Sequence, residues 1–272
     1  MTIKRSAAAL LCAFVLAACE KNAVQDITGS APMASILFFN FGVGAPGVNF
    51  YANNTKMTAI NSSTCQVITD ANREQCTTIG AESTVGVNYG GVSSGARYSA
   101  LDPGQYTFTG RIAAATDKDL PVATAQAVIA DGKAYSFYMS GFYDATAKRV
   151  DAFVVEDNFP VQIQWDKTCI RYVNAIGNSQ PMRLVISNPN AGAAPIGGLV
   201  AYKGASDFVC LEGGTTTLDM YAYVEGNPTP VLTRTAFTFG SGRVYTVAAI
   251  GDMTVGGTTA ANRARLDVTA NR

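Results

Sequence analysis

Residues 36–51 read ILFFNFGVGAPGVNFY, and this stretch decides between two different folds. Gly42, Gly44 and Gly47 have the spacing G-x-G-x-x-G directly after an apolar run, which is the pattern of a dinucleotide-binding loop when a helix follows. Here the turn contains a proline and leads into the alternating segment 48–51, which is typical of a strand. We therefore interpret the glycines as a β-turn that lets the first strand fold back, and we expect no cofactor.

The same β pattern continues along the chain. Short segments of alternating polar and apolar residues lie at 106–109, 150–155, 161–165, 218–223 and 231–239. Turn residues recur roughly every ten positions, and no helical periodicity is sustained. Short strands with frequent turns are typical of antiparallel β-sandwiches.

Two copies of one pattern follow each other in the sequence. GKAYSF at 132–137 recurs as GRVYTV at 242–247, an offset of 242 − 132 = 110. FFN at 38–40 corresponds to YVN at 172–174, an offset of 174 − 40 = 134, so the first copy carries 134 − 110 = 24 additional residues between these points. The sequence therefore predicts an all-β fold with two tandem immunoglobulin-like antiparallel β-sandwich domains. Their predicted limits are 33–157, which includes an insertion, and 158–272.

The beginning of the chain has the features of an export signal. Lys4 and Arg5 precede an apolar run at 7–15 that is too short to span a bilayer. The following residues, 16–19, read LAAC and resemble the lipobox of bacterial lipoproteins. This resemblance implies a signal peptide at 1–18, acyl chains on Cys19 and a lipid-anchored tether at 19–32. Acyl chains contribute about 0.8 kcal/mol per buried CH₂, so several of them would anchor the protein permanently.

The residue after the lipobox cysteine bears on localisation. Glu20 stands where an aspartate would commonly retain a lipoprotein in the inner membrane, which favours the outer membrane. We therefore expect an outer-membrane lipoprotein of the cell envelope, facing the periplasm or the cell surface.

Cysteine usage agrees with export. Four cysteines remain after the signal peptide and the lipidated residue are set aside: Cys65, Cys76, Cys169 and Cys210. An even number in an oxidising compartment favours two structural disulfides. Three pairings are possible, and we prefer the pairing of sequence neighbours, Cys65–Cys76 with Cys169–Cys210. The first of these would close the insertion of the first domain.

Several segments resemble one bacterial family, the "domain of unknown function 4397". Residues 39–51 resemble its opening strand and Ala-Pro turn, 101–106 its Pro-Ala-Gly-Thr-Tyr turn, and the repeated GKAYS and GRVYT segments its late strand. The sequence departs from the family at Gly42-Val43-Gly44, where a polar turn is usual, and at Asn49, where Asp is usual. The resemblance implies an exported, often tandem, immunoglobulin-like domain without assigned catalytic residues.

Composition excludes several kinds of chemistry. The chain contains no histidine, which excludes Ser-His-Asp and Cys-His catalysis and His-ligated zinc. Its formal charge is zero, without the basic excess that nucleic-acid binding requires. Two pairs of acids remain as candidates, Asp117 with Asp119 for calcium and Glu156 with Asp157 for acid catalysis. We interpret the first pair as a solvated loop and the second as acids that keep a linker soluble, and we predict no catalytic or metal site.

Aromatic residues are concentrated in two places. One group lies in AYSFYMSGFYDA and comprises Tyr135, Phe137, Tyr138, Phe142 and Tyr143, and the other is the pair Tyr221 and Tyr223. Exposed tyrosines could stack on sugars or hold a partner, but aromatics with period 2 more often pack in a core. We therefore predict core packing for both groups, and the equivalent places of Tyr135 and Tyr245 in the two copies support this prediction.

These observations lead to a functional hypothesis. We expect a lipid-anchored, non-enzymatic envelope protein that presents its sandwiches, and above all the Cys65–Cys76 excursion, to an envelope protein or a glycan. The alternative is a carboxylate-based carbohydrate hydrolase or a glycan-binding module. Neither hypothesis involves nucleic acid.

Overall fold

The computed structural model describes residues 34–58, 65–68, 73–76, 85–162, 164–188, 192–213 and 215–272. The predicted signal peptide, Cys19 and the tether lie outside these residues. Residues Pro32–Arg272 form one compact unit. Within the described ranges, no helix is long and apolar enough to cross a membrane.

The first half of the chain folds into strands and one 3-10 turn, Ser93–Gly95. The strands are β1 (Ala34–Asn40), β2 (Val48–Ala52), β3 (Thr55–Lys56), β4 (Cys65–Ile68), β5 (Arg73–Cys76), β6 (Gly91–Val92), β7 (Ser99–Leu101), β8 (Gly104–Ile112), β9 (Pro121–Ile129), β10 (Ala134–Asp144) and β11 (Arg149–Glu156). Their order in the first inner sheet is β11-β10-β1-β6, with β7 also paired to β1, and their order in the first outer sheet is β3-β2-β8-β9. Strands β4 and β5 form a separate hairpin.

The second half repeats this arrangement. Its strands are β12 (Lys167–Asn174), β13 (Met182–Asn188), β14 (Gly192–Val200), β15 (Gly204–Ala205), β16 (Val209–Glu212), β17 (Thr216–Val224), β18 (Leu232–Phe239), β19 (Arg243–Ile250) and β20 (Arg265–Ala270). The second inner sheet has the order β15-β12-β19-β20, with β16 paired to β12, and the second outer sheet has the order β14-β13-β17-β18. The predicted all-β sandwich fold is confirmed.

Strand direction corrects one part of the prediction. Pairing is antiparallel except for one pair in each half, since β1 runs parallel to β10 and β12 runs parallel to β19. A parallel pair needs a long connection. Each half of the chain has such a long connection, because its first strand pairs with a strand that comes near the end of the same half.

The sheets are stacked in layers with three apolar cores between them. The first core lies between the first outer and first inner sheets and includes Phe38 and Phe137. The second core lies between the second inner and outer sheets and includes Tyr172 and Val247. The middle core joins the two inner sheets through side chains from both halves of the chain: Leu37, Phe39, Phe41, Tyr138, Phe153, Val173, Ala175, Ala248 and Ile250.

Burial on both faces explains the unbroken apolar strands of the inner sheets. Because successive side chains of a strand point to opposite faces, Ile36 and Phe38 enter the first core while Leu37 and Phe39 enter the middle core. A strand covered on only one face would need polar residues at every second position. The run ILFF thus places its strand between two layers.

The opening turn is organised by a buried asparagine. The Asn40 side-chain oxygen accepts the Gly42 N–H at 3.3 Å, and its amide nitrogen donates to the Val87 carbonyl at 2.8 Å. Asn174 repeats this arrangement, accepting the Ile176 N–H at 3.2 Å and donating to Val200. A strand, β2, follows the glycine turn, so the interpretation of G-x-G-x-x-G as a turn is confirmed.

Of the two predicted disulfides, Cys169–Cys210 joins residues whose side chains the structure describes. Cys169 on β12 and Cys210 on β16 are bonded and are partners in the strand register, as predicted. Cys65 and Cys76 are also register partners, in the β4–β5 hairpin. Their backbone positions face each other, and the bond between them stays a prediction.

Candidate functional site

A buried ion pair lies between the two inner sheets. Arg171 projects from β12, and Asp157 follows β11 directly, so the two residues come from different halves of the chain. Their side chains are 1% and 0% exposed, and Nη2 of Arg171 lies 2.5 Å from Oδ1 of Asp157. An ion pair without water must have its remaining polar atoms satisfied by protein groups, which makes the surrounding hydrogen bonds decisive.

Hydrogen bonds surround this ion pair on both sides. Oδ2 of Asp157 accepts from the Tyr98 hydroxyl at 2.6 Å and from the Ser136 hydroxyl at 2.8 Å. Arg171 donates through Nη2 to Tyr138 at 3.2 Å and through Nε to Thr246 at 2.9 Å. Oδ1 of Asp157 makes no hydrogen bond of acceptable geometry, so the guanidinium charge is its main partner.

Asn271 is the last member of this hydrogen-bonded group, and it bonds to one residue from each half of the chain. Its Oδ1 accepts from the Thr246 hydroxyl at 2.7 Å, and its Nδ2 donates to the Tyr98 hydroxyl at 2.9 Å. We call these seven residues the buried network: Tyr98, Ser136, Tyr138, Asp157, Arg171, Thr246 and Asn271.

The electrostatics of the buried network favour a structural role. Burial raises the pKa of the Tyr98 and Tyr138 hydroxyls, so both remain protonated at physiological pH. Burial alone would lower the pKa of Arg171, but Tyr138 and Asp157 reverse that effect, and the net shift is upward. Since these shifts move the groups away from neutral pH, the buried network holds the two sandwiches in one arrangement rather than exchanging protons.

An open cleft lies at one end of the same junction. Its volume is about 510 Å³, and it is lined by Gly141, Phe142, Asp144, Arg149, Val150, Asp151, Gly177 and Tyr202. The first six residues come from β10 and β11, whereas Gly177 and Tyr202 belong to the second half. The Phe142 side chain is 43% exposed, which presents an aromatic ring to a ligand.

Tyr202 fixes the shape of one side of this cleft. Its hydroxyl lies 3.0 Å from the Ser140 hydroxyl and donates to Oδ2 of Asp151 at 3.1 Å. Nζ of Lys203 lies 2.9 Å from the same carboxylate oxygen. Gly141 permits this close approach, because a Cβ on its backbone at φ +75° would collide with the Tyr202 hydroxyl. The second half of the chain is thus fastened to the first at the cleft as well.

The two carboxylates of the cleft, Asp144 and Asp151, have partners within the protein. Asp144 accepts the backbone N–H groups of Thr146 and Ala147, each at 2.9 Å, and these bonds lower its pKa. Asp151 is paired with Lys203. With Arg149 and the Phe142 ring, the cleft combines fixed charges with an apolar surface, an arrangement suited to binding.

Asp117 and Asp119 have partners within the protein. Asp117 forms an ion pair with Lys148, at 2.7 Å, and Asp119 accepts from the Tyr51 hydroxyl at 2.9 Å. In the part of the chain that the structure describes, no group of three or more His, Cys, Asp or Glu side chains could hold a metal ion.

The adjacent acids Glu156 and Asp157 have different environments. Glu156 forms a surface ion pair with Lys133, at 2.8 Å. Asp157 is buried, so the interpretation of both residues as solvated linker acids was wrong for Asp157. Sequence reasoning also missed Arg171, whose position inside the apolar segment CIRYVN was the available signal for a buried partner of opposite charge.

The aromatic predictions had mixed outcomes. Tyr135 and Tyr245 are buried, and their hydroxyls accept equivalent backbone N–H groups, from Ala130 at 3.1 Å and from Gly240 at 2.9 Å. Packing is therefore confirmed for this pair. It is also confirmed for three further members of the first group: Phe137 and Tyr138, which are buried, and Tyr143, which packs against the first core.

Phe142 differs from the rest of its group, because it lines the cleft. Tyr221 and Tyr223 are half-buried and alternate with the core residues Met220 and Ala222. The pair therefore lies on the outward face of the second outer sheet, and the core prediction was wrong for it.

Comparison with known proteins gives limited similarity. Residues 174–270 match the model of the hydantoinase/oxoprolinase family, Hydantoinase_A. A crystal structure of a proposed cell adhesion protein from Bacteroides ovatus ATCC 8483 is similar over 89% of this chain and 96% of its own, with 8% sequence identity and a TM-score of 0.24. No curated protein matches the chain. The family match covers about a third of the chain, from the end of β12 to β20, and does not establish membership.

Proposed function

We propose that this protein is a non-enzymatic lipoprotein of the bacterial outer membrane that binds an envelope ligand in the cleft between its two sandwiches. The composition of the cleft is the observation that supports this proposal most directly. It combines an exposed aromatic ring with charged side chains at a junction that the buried network crosses. A binding site gains affinity when its side chains are positioned before the ligand arrives.

The charge states of the cleft residues support binding over hydrolysis. Glycoside hydrolysis requires one carboxyl whose raised pKa keeps it protonated as a general acid. Backbone hydrogen bonds lower the pKa of the cleft carboxyl Asp144, which is the opposite of the shift that a general acid needs. The absence of histidine from the sequence removes the commonest other proton donor.

Strand direction supports presentation of the cleft away from a membrane anchor. β1 follows the tether, and its first hydrogen bond joins the Ser35 N–H to the Lys133 carbonyl, beside the start of β10. The cleft residue Phe142 lies near the far end of β10, eight residues from Ala134 and therefore about 25 Å away at ~3.3 Å per residue. An anchor at Cys19 would thus hold one end of the body near the bilayer and leave the cleft at the other.

Site-specific photo-cross-linking in intact cells tests cleft binding. A photoreactive residue at Phe142 or Arg149 should give one discrete adduct. Matched probes at Val128 and Leu199, which are 71% and 42% exposed outside the cleft, should not. The adduct at Phe142 should also weaken when Arg149→Glu is introduced. Equal adducts at all four positions would refute the cleft as the binding site.

Two further measurements separate the remaining elements of the proposal. Cys19→Ser should move the protein from the membrane fraction to the soluble fraction, and retention in the membrane would contradict the lipid anchor. Incubation with a glycan panel should yield no cleavage. A cleaved glycan whose turnover disappears in Asp144→Asn or Asp151→Asn would establish the hydrolase instead.

A further inference from the structure

Exposed apolar side chains occupy the connection between the two sandwiches. Val161 is 101% exposed and Trp165, which is the single tryptophan of the chain, is 78% exposed. Both lie between β11 and β12, in the described residues 157–162 and 164–166, which we call the connector. Single exposed apolar side chains are common, but several in one short exposed segment can mark a contact with another surface.

The connector lies at the end of the molecule where the tether enters. One cavity of about 450 Å³ is lined by Gly132, Lys133, Ala134, Asp157, Asn158, Phe159, Pro160, Val161 and Arg272. The Ser35 N–H donates to the Lys133 carbonyl at 3.0 Å, which places the beginning of β1 against the same residues. Trp165 lies beside Gly242, next to the first residue of β19. The start of β1 and the exposed side chains of Val161 and Trp165 therefore lie at the same end of the molecule.

Charges at this end are largely balanced. Lys133 is paired with Glu156 at 2.8 Å and Lys167 with Glu212 at 2.7 Å. The Arg272 guanidinium lies over the Phe159 ring, 4.2 Å from its centroid. Asp131 and Asp166 add negative charge nearby. A surface with balanced charge, one tryptophan and an exposed aliphatic residue suits the interfacial zone of a bilayer, where an indole has both apolar and polar surroundings.

We propose that Val161 and Trp165 rest in the bilayer interface when the chain is anchored at Cys19. This inference rests on the lipid anchor of the proposed function. Fourteen residues, 20–33, separate Cys19 from β1, and a random coil of that length would span about 20 Å. Such a short tether gives the connector an effective concentration in the millimolar range at the membrane, so a weak contact becomes populated.

Tryptophan fluorescence provides a direct test, because Trp165 is the single fluorophore of its kind. The full lipidated protein is reconstituted in phosphatidylcholine vesicles with and without brominated lipid. We expect emission shifted to shorter wavelength than for Cys19→Ser in solution, and at least twofold quenching by the brominated lipid. Val161→Asp should reduce this quenching. The matched variant Leu199→Asp, near the cleft end, should leave it unchanged.

Unquenched Trp165 emission in the anchored protein would overturn the inference, as would equal effects of the two aspartate variants. Because the surface charges balance, replacing a third of the lipid by phosphatidylglycerol should change quenching less than twofold. A larger increase would show that charge rather than the apolar pair drives the contact. An emission shift that depends on protein concentration without vesicles would show that a second copy covers the surface instead.

A separate experiment distinguishes the absence of a lipid anchor from the absence of contact between the connector and the membrane. A histidine tag replaces residues 1–19, and nickel-chelating vesicles then hold the chain without lipidation. Quenching of Trp165 in this experiment supports the membrane contact even if Cys19 proves to be unmodified. Absence of quenching in this experiment refutes the membrane contact even if Cys19 carries acyl chains.

Discussion

Replacing Arg171 by methionine should destabilise the protein more than most single substitutions. Methionine fills part of the space of the arginine side chain but removes the ion pair with Asp157 and the hydrogen bonds to Tyr138 and Thr246. The Asp157 carboxylate then stays buried, with Tyr98 and Ser136 as donors to Oδ2 and no cation at Oδ1.

The expected cost follows from the burial of the pair. Removing one partner of a fully buried ion pair costs about 3–5 kcal/mol, because it leaves an uncompensated charge. Both side chains here are at most 1% exposed, so solvent screening does not reduce this figure. For a chain of this size, each kcal/mol lowers the melting temperature by about 2–4 °C, and the expected decrease is therefore about 10 °C.

Urea unfolding followed by Trp165 fluorescence measures this change. The double variant Arg171→Met/Asp157→Asn supplies the control, because it removes both charges while the asparagine retains hydrogen-bonding capacity for Tyr98 and Ser136. We expect the double variant to be more stable than Arg171→Met alone, with a coupling energy of about 2 kcal/mol. Additive effects, or a loss below about 1 kcal/mol in the single variant, would refute the buried network as the element that holds the sandwiches together.

Three further predictions follow from individual contacts. Replacing both Cys169 and Cys210 by alanine opens a loop with a sequence separation of 41, and should lower the free energy of unfolding by about 4 kcal/mol; an equal loss in wild type under reducing conditions would attribute the effect to the bond. Asn40→Ala leaves the buried Gly42 N–H without its side-chain acceptor and should cost about 1–3 kcal/mol in calorimetry, whereas an unchanged melting temperature would contradict this role of Asn40. The lowered pKa of Asp144 contributes stability above its ordinary pKa that is lost as pH falls through the folded value, so the urea midpoints of wild type and Asp144→Asn should converge on acidification below about pH 4; a constant difference would refute it.

Part of the layer arrangement could be predicted from the sequence. Alternating segments predicted strands, and the offset of 110 predicted equivalent tyrosines, which the paired hydrogen bonds of Tyr135 and Tyr245 confirm. The uninterrupted run ILFF also contained the information that β1 is covered on both faces. It could not identify the covering layer, because any apolar sheet face satisfies the same pattern.

The candidate site was less predictable, for physical reasons that particular residues illustrate. Phe142 and Tyr138 are aromatic residues of the same strand, β10, yet the Tyr138 ring lies in the middle core and the Phe142 ring is open to the cleft. Their exposure depends on where the second inner sheet ends, which is set by contacts between residues far apart in sequence. Glu156 and Asp157 diverge for the same reason, since a guanidinium from the other half reaches only the second of them.

The parallel pairs connect the fold to the proposed arrangement on a membrane. β10 and β12 run in the same direction across the junction, because Ser136 lies near Arg171 and, further along both strands, Gly141 lies against Gly177. Since β1 is parallel to β10 and β19 to β12, the four central strands all run from the connector end to the cleft end. A chain that enters at β1 and crosses to the second half after β11 must then place both its entry and its connector at one end. The opposite end is left for binding, and it includes turns where substitutions need not disturb the three cores.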